Sequence, residues 1–381
     1  QTKHLLAYYF LAILVRMYQV KSNVIMSHLS TQTILDYQKI GDPVADAVVD
    51  YLYQHKLRAT NIWQLVQQQA QAGNAQCQAL CDEAFTVPQW VNWQQIEHGA
   101  HVFLRSAPVA LVSFALGALP LTYAVPNIAR VLASTKRLEQ DAVRRLYETG
   151  SMVADVLAKD GLRADGIGLN SVLRVRLLHT FVRRHVVIDD AKKGLSLPLA
   201  INQAELAWVA CGFSHVVLSG MQKLGVYLSD DDRRAYQHLW RYANYLMGVP
   251  EALLSESPQE EAQRYQQLKL ALSAPDDCGR LLTDTLARSF AGQAPFYLPR
   301  RELAVLSSLV IPDADLITGL GVNLYPERHL LPVVKALVYA ASRTTTLATS
   351  QVADWGRDYI RYVLNDGLKG RMADFQMHTS H

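Results

Sequence analysis

The sequence lacks most of the features that would announce a partner or a covalent framework. Four cysteines occur in 381 residues, at positions 77, 81, 211 and 278. They are too few and too irregular for a disulfide scaffold, and this usage suits a reducing compartment and a cytoplasmic location. Charge is sparse: 19% of residues are ionic, and 37 Lys and Arg against 34 Asp and Glu leave a formal net charge of +3. Scattered arginine pairs at that balance give no basic field, so nucleic acid is not an expected partner. No run of 18 or more uncharged apolar residues is present, which excludes a polytopic membrane protein. Alternating strand patterns, internal repeats and low-complexity tracts are missing too.

What remains is apolar and helical. Half of the residues are hydrophobic, which excludes disorder. A chain of this length buries about three quarters of the surface it exposes when unfolded. It therefore needs no metal or disulfide to fold, and any cofactor it holds serves chemistry. The expected class is all-α, a single large helical domain with extra helices at its ends.

The chain divides into four stretches. Residues 1–25 hold the apolar run Leu5 to Val15 behind Lys3 and His4. Eleven such residues are too few to span a bilayer, and no small-x-small cleavage site follows. They are expected to form an upstream extension or a buried or interfacial helix, with Met26 as the natural start and peripheral membrane contact the alternative to a purely cytoplasmic chain. Residues 26–86 read as polar, Gln-rich helices. A catalytic core is expected over 87–300, and C-terminal helices with a frayed tail over 301–381. Inside the core, Val102 to Leu121 is unusually apolar and broken by Gly117 and Pro120. One helix is expected from about Asn127 to Lys159, and another from Asn170 or Ser171 to about Asp190. Asn202 with Glu205 resembles a capping box that opens a helix stopped by Gly225. Ser229 before three aspartates caps the next.

Positions 172, 175, 179, 182 and 186 lie on one helical stripe and are Val, Val, His, Val, Val. His179 thus replaces an aliphatic residue in a core-facing seam, and a buried imidazole needs partners for both nitrogens. Two readings stand: a core histidine bonded to a neighbouring side chain, or a ligand to buried iron or zinc. Arg176 and Arg183 flank the same stripe, where they either hold the carboxylates of a cofactor or extend to solvent. Arg145 and Thr149 lie four apart with Glu148 between them, Thr149 on the apolar face. They either project inward or form an Arg–Glu surface pair and a threonine bonded to its own helix.

Four blocks together resemble the rubber oxygenase catalytic domain family of latex-clearing proteins and MpaB-type oxygenases. They are Val87-Pro-Gln-Trp with its following helix, Leu146-Tyr-Glu-Thr149 after Arg145, Val175-Arg-Leu-Leu-His179-Thr-Phe-Val-Arg183, and Ile201-Asn-Gln-x-Glu205 leading to Phe213. Asp277-Cys-Gly-Arg-Leu-Leu-Thr283 is a weaker fifth. The resemblance implies a globin-like helical core around haem b, with His179 as proximal iron ligand. It also implies that Arg145 and Thr149 line the distal side and that Arg183 supports the haem or its histidine. The implied reaction is cleavage of an isoprenoid C=C bond by dioxygen, in an apolar pocket that holds its substrate by burial. Glu148 departs from the family, which can carry an iron-capping lysine there, so no distal ligand is carried over. A haem- or lipid-binding protein without turnover is the alternative. A non-haem site at His98 and His101 beside Glu97, or a pair of thiols at Cys77 and Cys81, shows too few ligands.

Overall fold

The computed structural model describes residues 29–134, 142–323, 331–345 and 349–369. The leader at 1–25, Met26 and the tail from Met377 to His381 lie outside the described residues. Among those described, the structure is helical and has no strand. In chain order the helices are α1 (Thr31–Tyr37), α2 (Pro43–Gln54), α3 (Ile62–Gln71), α4 (Ala75–Phe85), α5 (Trp93–Leu104) and α6 (Ala107–Thr122). They continue as α7 (Pro126–Ser134), α8 (Ala142–Val156), α9 (Ile167–Lys192), α10 (Gln203–Lys223), α11 (Asp230–Leu246) and α12 (Pro258–Leu272). The last are α13 (Asp277–Phe290), α14 (Arg300–Val310), α15 (Ala314–Gly319), α16 (Leu331–Thr345) and α17 (Thr349–Leu368).

Local sequence sets most of the starts. Asp42, Asn61, Asn74, Asn92 and Asn202 each accept a backbone N–H of the first turn of the following helix. Ser229 does so with reciprocity, since Asp232 accepts from the Ser229 N–H in a full capping box. Gly225, with φ of +104°, follows the end of α10 as expected, and a Cβ there would stand 2.3 Å from the Lys335 carbonyl oxygen. One expectation is corrected: α9 begins at Ile167, earlier than Asn170. The helix foreseen from Asn127 to Lys159 is described as α7 and α8, and its middle lies outside the described residues.

One large hydrophobic core runs from Ile34 to Val363, so the Gln-rich helices, the middle of the chain and the last helix are packed together. At its centre lie α6 and α10, which each contain a five-residue π-helical turn, Phe114–Ala118 and Gly212–Val216. The turns meet through Phe114 and Phe213, whose ring centroids are 5.2 Å apart with the planes inclined by 62°. Such widened turns redirect side chains and frequent functional sites; Phe213 is on the wall of the cavity described below. Among the described residues, α10 is the one unbroken helix long and apolar enough to cross a membrane, and it is buried in this core.

Helices α5 and α11 pack closely at Gly99. A Cβ on Gly99 would fall 2.3 Å from the Ala235 carbonyl oxygen, a backbone atom with no freedom to turn aside. Gly99→Ala is expected to destabilise the fold by about 1–3 kcal/mol through this overpacking, beyond what alanine's better helix propensity returns. The urea midpoint of unfolding measures it, and an unchanged or raised midpoint would contradict the packing.

Candidate functional site

The apolar stripe of α9 faces an internal cavity of about 380 Å³. Val172, Val175, His179 and Val182 line it, while Val186 is buried in a small separate cluster with Val131 and Ala200. Opposite, α8 presents Leu146, Glu148, Thr149 and Met152. Glu205, Val209 and Phe213 of α10, Trp240 and Asn244 of α11, and Leu282 and Leu286 of α13 complete most of the wall. The structure thus brings His179, Glu148 and Thr149 to one cavity. Arg145 belongs to α8, but its side chain lies outside the described residues.

No neighbour satisfies Nδ1 of His179: it is buried without a hydrogen-bond partner, so the first sequence reading, a core histidine bonded to a neighbour, has no such bond at that nitrogen. Burial, and then the positive charge of Arg183, lower its pKa from 6.5 to about 4, against a smaller opposing effect of Asp42. The ring is therefore neutral at physiological pH, the form that ligates a metal.

Arg176 and Arg183 stand elsewhere than expected. Neither lines the cavity; both are buried on the adjacent face of α9, against acidic residues of the N-terminal helices. Arg176 grips Asp42 with two bonds, Nε to Oδ2 at 2.6 Å and Nη2 to Oδ1 at 3.0 Å, and its Nη1 reaches Glu83 at 2.8 Å. Arg183 donates to Asp46 from Nε at 3.0 Å and Nη2 at 2.7 Å, and to the Ile201 carbonyl at 2.8 Å. Gly41 and Gly248 leave room for these guanidinium groups: a Cβ would come 2.8 Å from Arg183 Nε at the first and 2.6 Å from Arg176 Nε at the second. The role of holding cofactor carboxylates is thereby corrected, because the guanidinium groups already hold carboxylates of the chain. Asp42→Ala is expected to cost about 3–5 kcal/mol by removing the bidentate partner of a buried guanidinium, which keeps only Glu83 as an acidic partner, together with the cap of α2. Chemical denaturation is the check, and a loss under about 1 kcal/mol, the range of an exposed pair, would contradict it.

Glu205 was legible as a helix-capping acid and is also a wall residue. It is 2% exposed, and its Oε1 accepts from Asn127 Nδ2 at 2.6 Å. Its Oε2 has no hydrogen-bond partner. Burial raises its pKa from 4.5 to about 7, against the lowering effect of the Asn127 and Asn202 side chains and nearby backbone N–H groups. The signal in the sequence was an acid inside an otherwise apolar helix.

The alternative metal residues are engaged or isolated. His98 Nε2 bonds Asp232 Oδ1 at 2.9 Å, a carboxylate already paired with Arg105 at 2.8 Å. Among the described residues no group of three or more His, Cys, Asp or Glu is placed to hold a metal ion. Cys77 and Cys81 are buried thiols, and burial raises the pKa of both.

The two shifted groups act on stability in opposite directions. Unfolded His179 takes up a proton below about 6.5 and folded His179 only below about 4, so stability is lost as pH falls through that window. Folded Glu205 keeps its proton to about 7 while the unfolded chain releases it near 4.5, so stability is lost as pH rises between them. Each contributes about 3 kcal/mol, and their slopes cancel where the windows overlap. Relative to the wild type, Glu205→Gln is expected to gain stability as pH rises from about 4.5 to 7, because it no longer suffers the Glu205 loss there. Urea titrations across that range test it, and a profile parallel to the wild type would contradict the assignment.

The fold and cavity define an all-α protein built around an apolar chamber with one unsatisfied imidazole. Comparison with known proteins agrees: residues 101–348 match the family described as ER-bound oxygenase mpaB/B'/rubber oxygenase, catalytic domain, and the chain belongs to that family. It is similar to the rubber oxygenase of Streptomyces sp. (strain K30), 22% identical over 209 residues that make up 54% of this chain and 51% of that protein. The chain thus matches about half the length of that curated relative. The structure of latex clearing protein LCP in its closed state superimposes with a TM-score of 0.67 at 18% identity, covering 86% of this chain and 91% of that one, which shows a shared fold.

Proposed function

We propose that this chain is a haem b-dependent oxygenase that acts with dioxygen on an apolar, unsaturated, isoprenoid or lipid-like substrate and cleaves a C=C bond. The observation that carries the reading is His179, a neutral imidazole with an unsatisfied nitrogen on the wall of an apolar cavity, in a member of an oxygenase family.

The residues present fit the group. His179 would hold the iron, since burial keeps its ring neutral and the rigid middle of a 26-residue helix fixes its position. Haem, when bound, supplies an iron centre that activates dioxygen for attack on a double bond. The protein contributes the surroundings. Val172, Val175 and Val182 beside the imidazole, with Leu146 and Met152 across from it, exclude water and bind an alkene by burial. Thr149 and Glu148 add a hydroxyl and a carboxyl on the α8 side, the expected distal side, where they would orient a polar reactant. Arg176 and Arg183 act from the adjacent face: they anchor α9 through α2, and the Arg183 charge adds to burial in keeping His179 deprotonated.

Expression with ample haem supply is expected to give a protein with a Soret band that shifts on dithionite reduction. In His179→Ala that band is expected to vanish while far-ultraviolet circular dichroism keeps its helical signal. Full haem occupancy in the folded variant would overturn the assignment.

A further inference from the structure

The cavity wall is almost hydrocarbon, so each polar atom on it needs an account. Thr122 gives its hydroxyl proton to the Leu119 carbonyl at 2.7 Å, and Asn244 gives an amide proton to the Trp240 carbonyl at 2.7 Å. Glu205 is different. One of its oxygens is tied down and the other, Oε2, is buried with nothing to bond. A buried polar atom left in that state costs about 1–3 kcal/mol, which a correctly placed ligand atom would recover.

The orientation of this carboxyl is fixed by a chain of contacts. Asp190 accepts from Arg130 Nη1 at 3.0 Å, and Arg130 donates from Nη2 to Asn127 Oδ1 at 2.8 Å. With its oxygen occupied, the Asn127 amide must present Nδ2 to Glu205 Oε1 and to the Leu199 carbonyl. Oε1 is therefore an acceptor. In the neutral carboxyl the proton sits on Oε2, the atom without a partner. What Oε2 lacks is an acceptor.

We propose that Glu205 is a substrate-recognition residue whose Oε2–H donates to an oxygen of the bound molecule, so that the cavity selects an uncharged isoprenoid bearing a hydroxyl or carbonyl group over the bare hydrocarbon. This rests on the proposed oxygenase reading for the isoprenoid skeleton and on the geometry for the oxygen. The hydrocarbon part lies against the valines of α9 and Phe213; the oxygen meets Glu205. A charged carboxylate or phosphate head group is disfavoured, because the apolar wall offers it neither Lys nor Arg among the described residues. A hydrocarbon fills the chamber but leaves Oε2 unsatisfied, the kind of mismatch by which buried polar groups discriminate between ligands.

The test compares farnesol with farnesene, an alcohol and a hydrocarbon of the same isoprenoid class, by calorimetric titration of the whole protein as purified, at about pH 6 where the Glu205 carboxyl is neutral. Farnesol is expected to bind about tenfold more tightly, the worth of one hydrogen bond. In Glu205→Leu the gap is expected to close, while Glu205→Gln, whose amide still donates, keeps farnesol affinity within about threefold of the wild type. Difference infrared spectroscopy gives a second readout that does not need the leucine variant to fold. Farnesol should shift the carbonyl stretch of a protonated carboxyl, farnesene should not, and the band should be missing in Glu205→Gln. Equal affinities in the wild type, binding of neither probe, a gap that survives Glu205→Leu, or no infrared shift would each overturn the proposal. A missing Soret band would sink the haem reading and leave these titrations readable.

Discussion

The structure depends on how α9 disposes of its charge. This helix carries Arg176 and Arg183 one turn either side of His179, and burying two guanidinium groups without partners would be prohibitive. Asp42 and Asp46, four residues apart at the start of α2, meet them across the packed face, and Asp42 also caps its own helix through Ala45 N–H at 3.1 Å. Fixing the charges there leaves the neighbouring stripe aliphatic except for one imidazole. A helix held on one face by ionic clamps can present a rigid, dry wall beside it. Both aspartates precede residue 101, so the family's catalytic segment is braced here by helices outside the matched stretch.

The cavity follows from the same economy of charge. Two titratable groups on its wall are shifted in opposite directions, His179 down to about 4 and Glu205 up to about 7, and burial is the first cause of both. Each is thereby neutral over the range between. An imidazole without its proton is a ligand, and a carboxyl with its proton is a hydrogen-bond donor. The chamber thus offers two distinct functions from two groups that are both neutral in that range. The paired π turns of α6 and α10 help to shape it, because they let Phe213 reach the wall while Phe114 backs it.

Much of this was legible from local pattern. The helical class, the caps at Asn202 and Ser229, the stop at Gly225 and the seam through His179 all rest on residues within one or two turns of each other. The partners of Arg176 and Arg183 were not legible, since Asp42 lies 134 residues before Arg176 and nothing near either arginine tells a buried clamp from a cofactor clamp. Glu205 was seen as a cap and not as a wall residue: its unsatisfied oxygen depends on the three-dimensional positions of Asn127 and Arg130.

The central claim is that the His179 chamber holds haem iron. A crystal structure of the haem-loaded protein, with anomalous data collected at the iron edge, tests it most directly. The account requires an iron peak inside this cavity, bound by a ring nitrogen of His179. Iron bound at any other histidine, or haem seated outside the chamber, would contradict it.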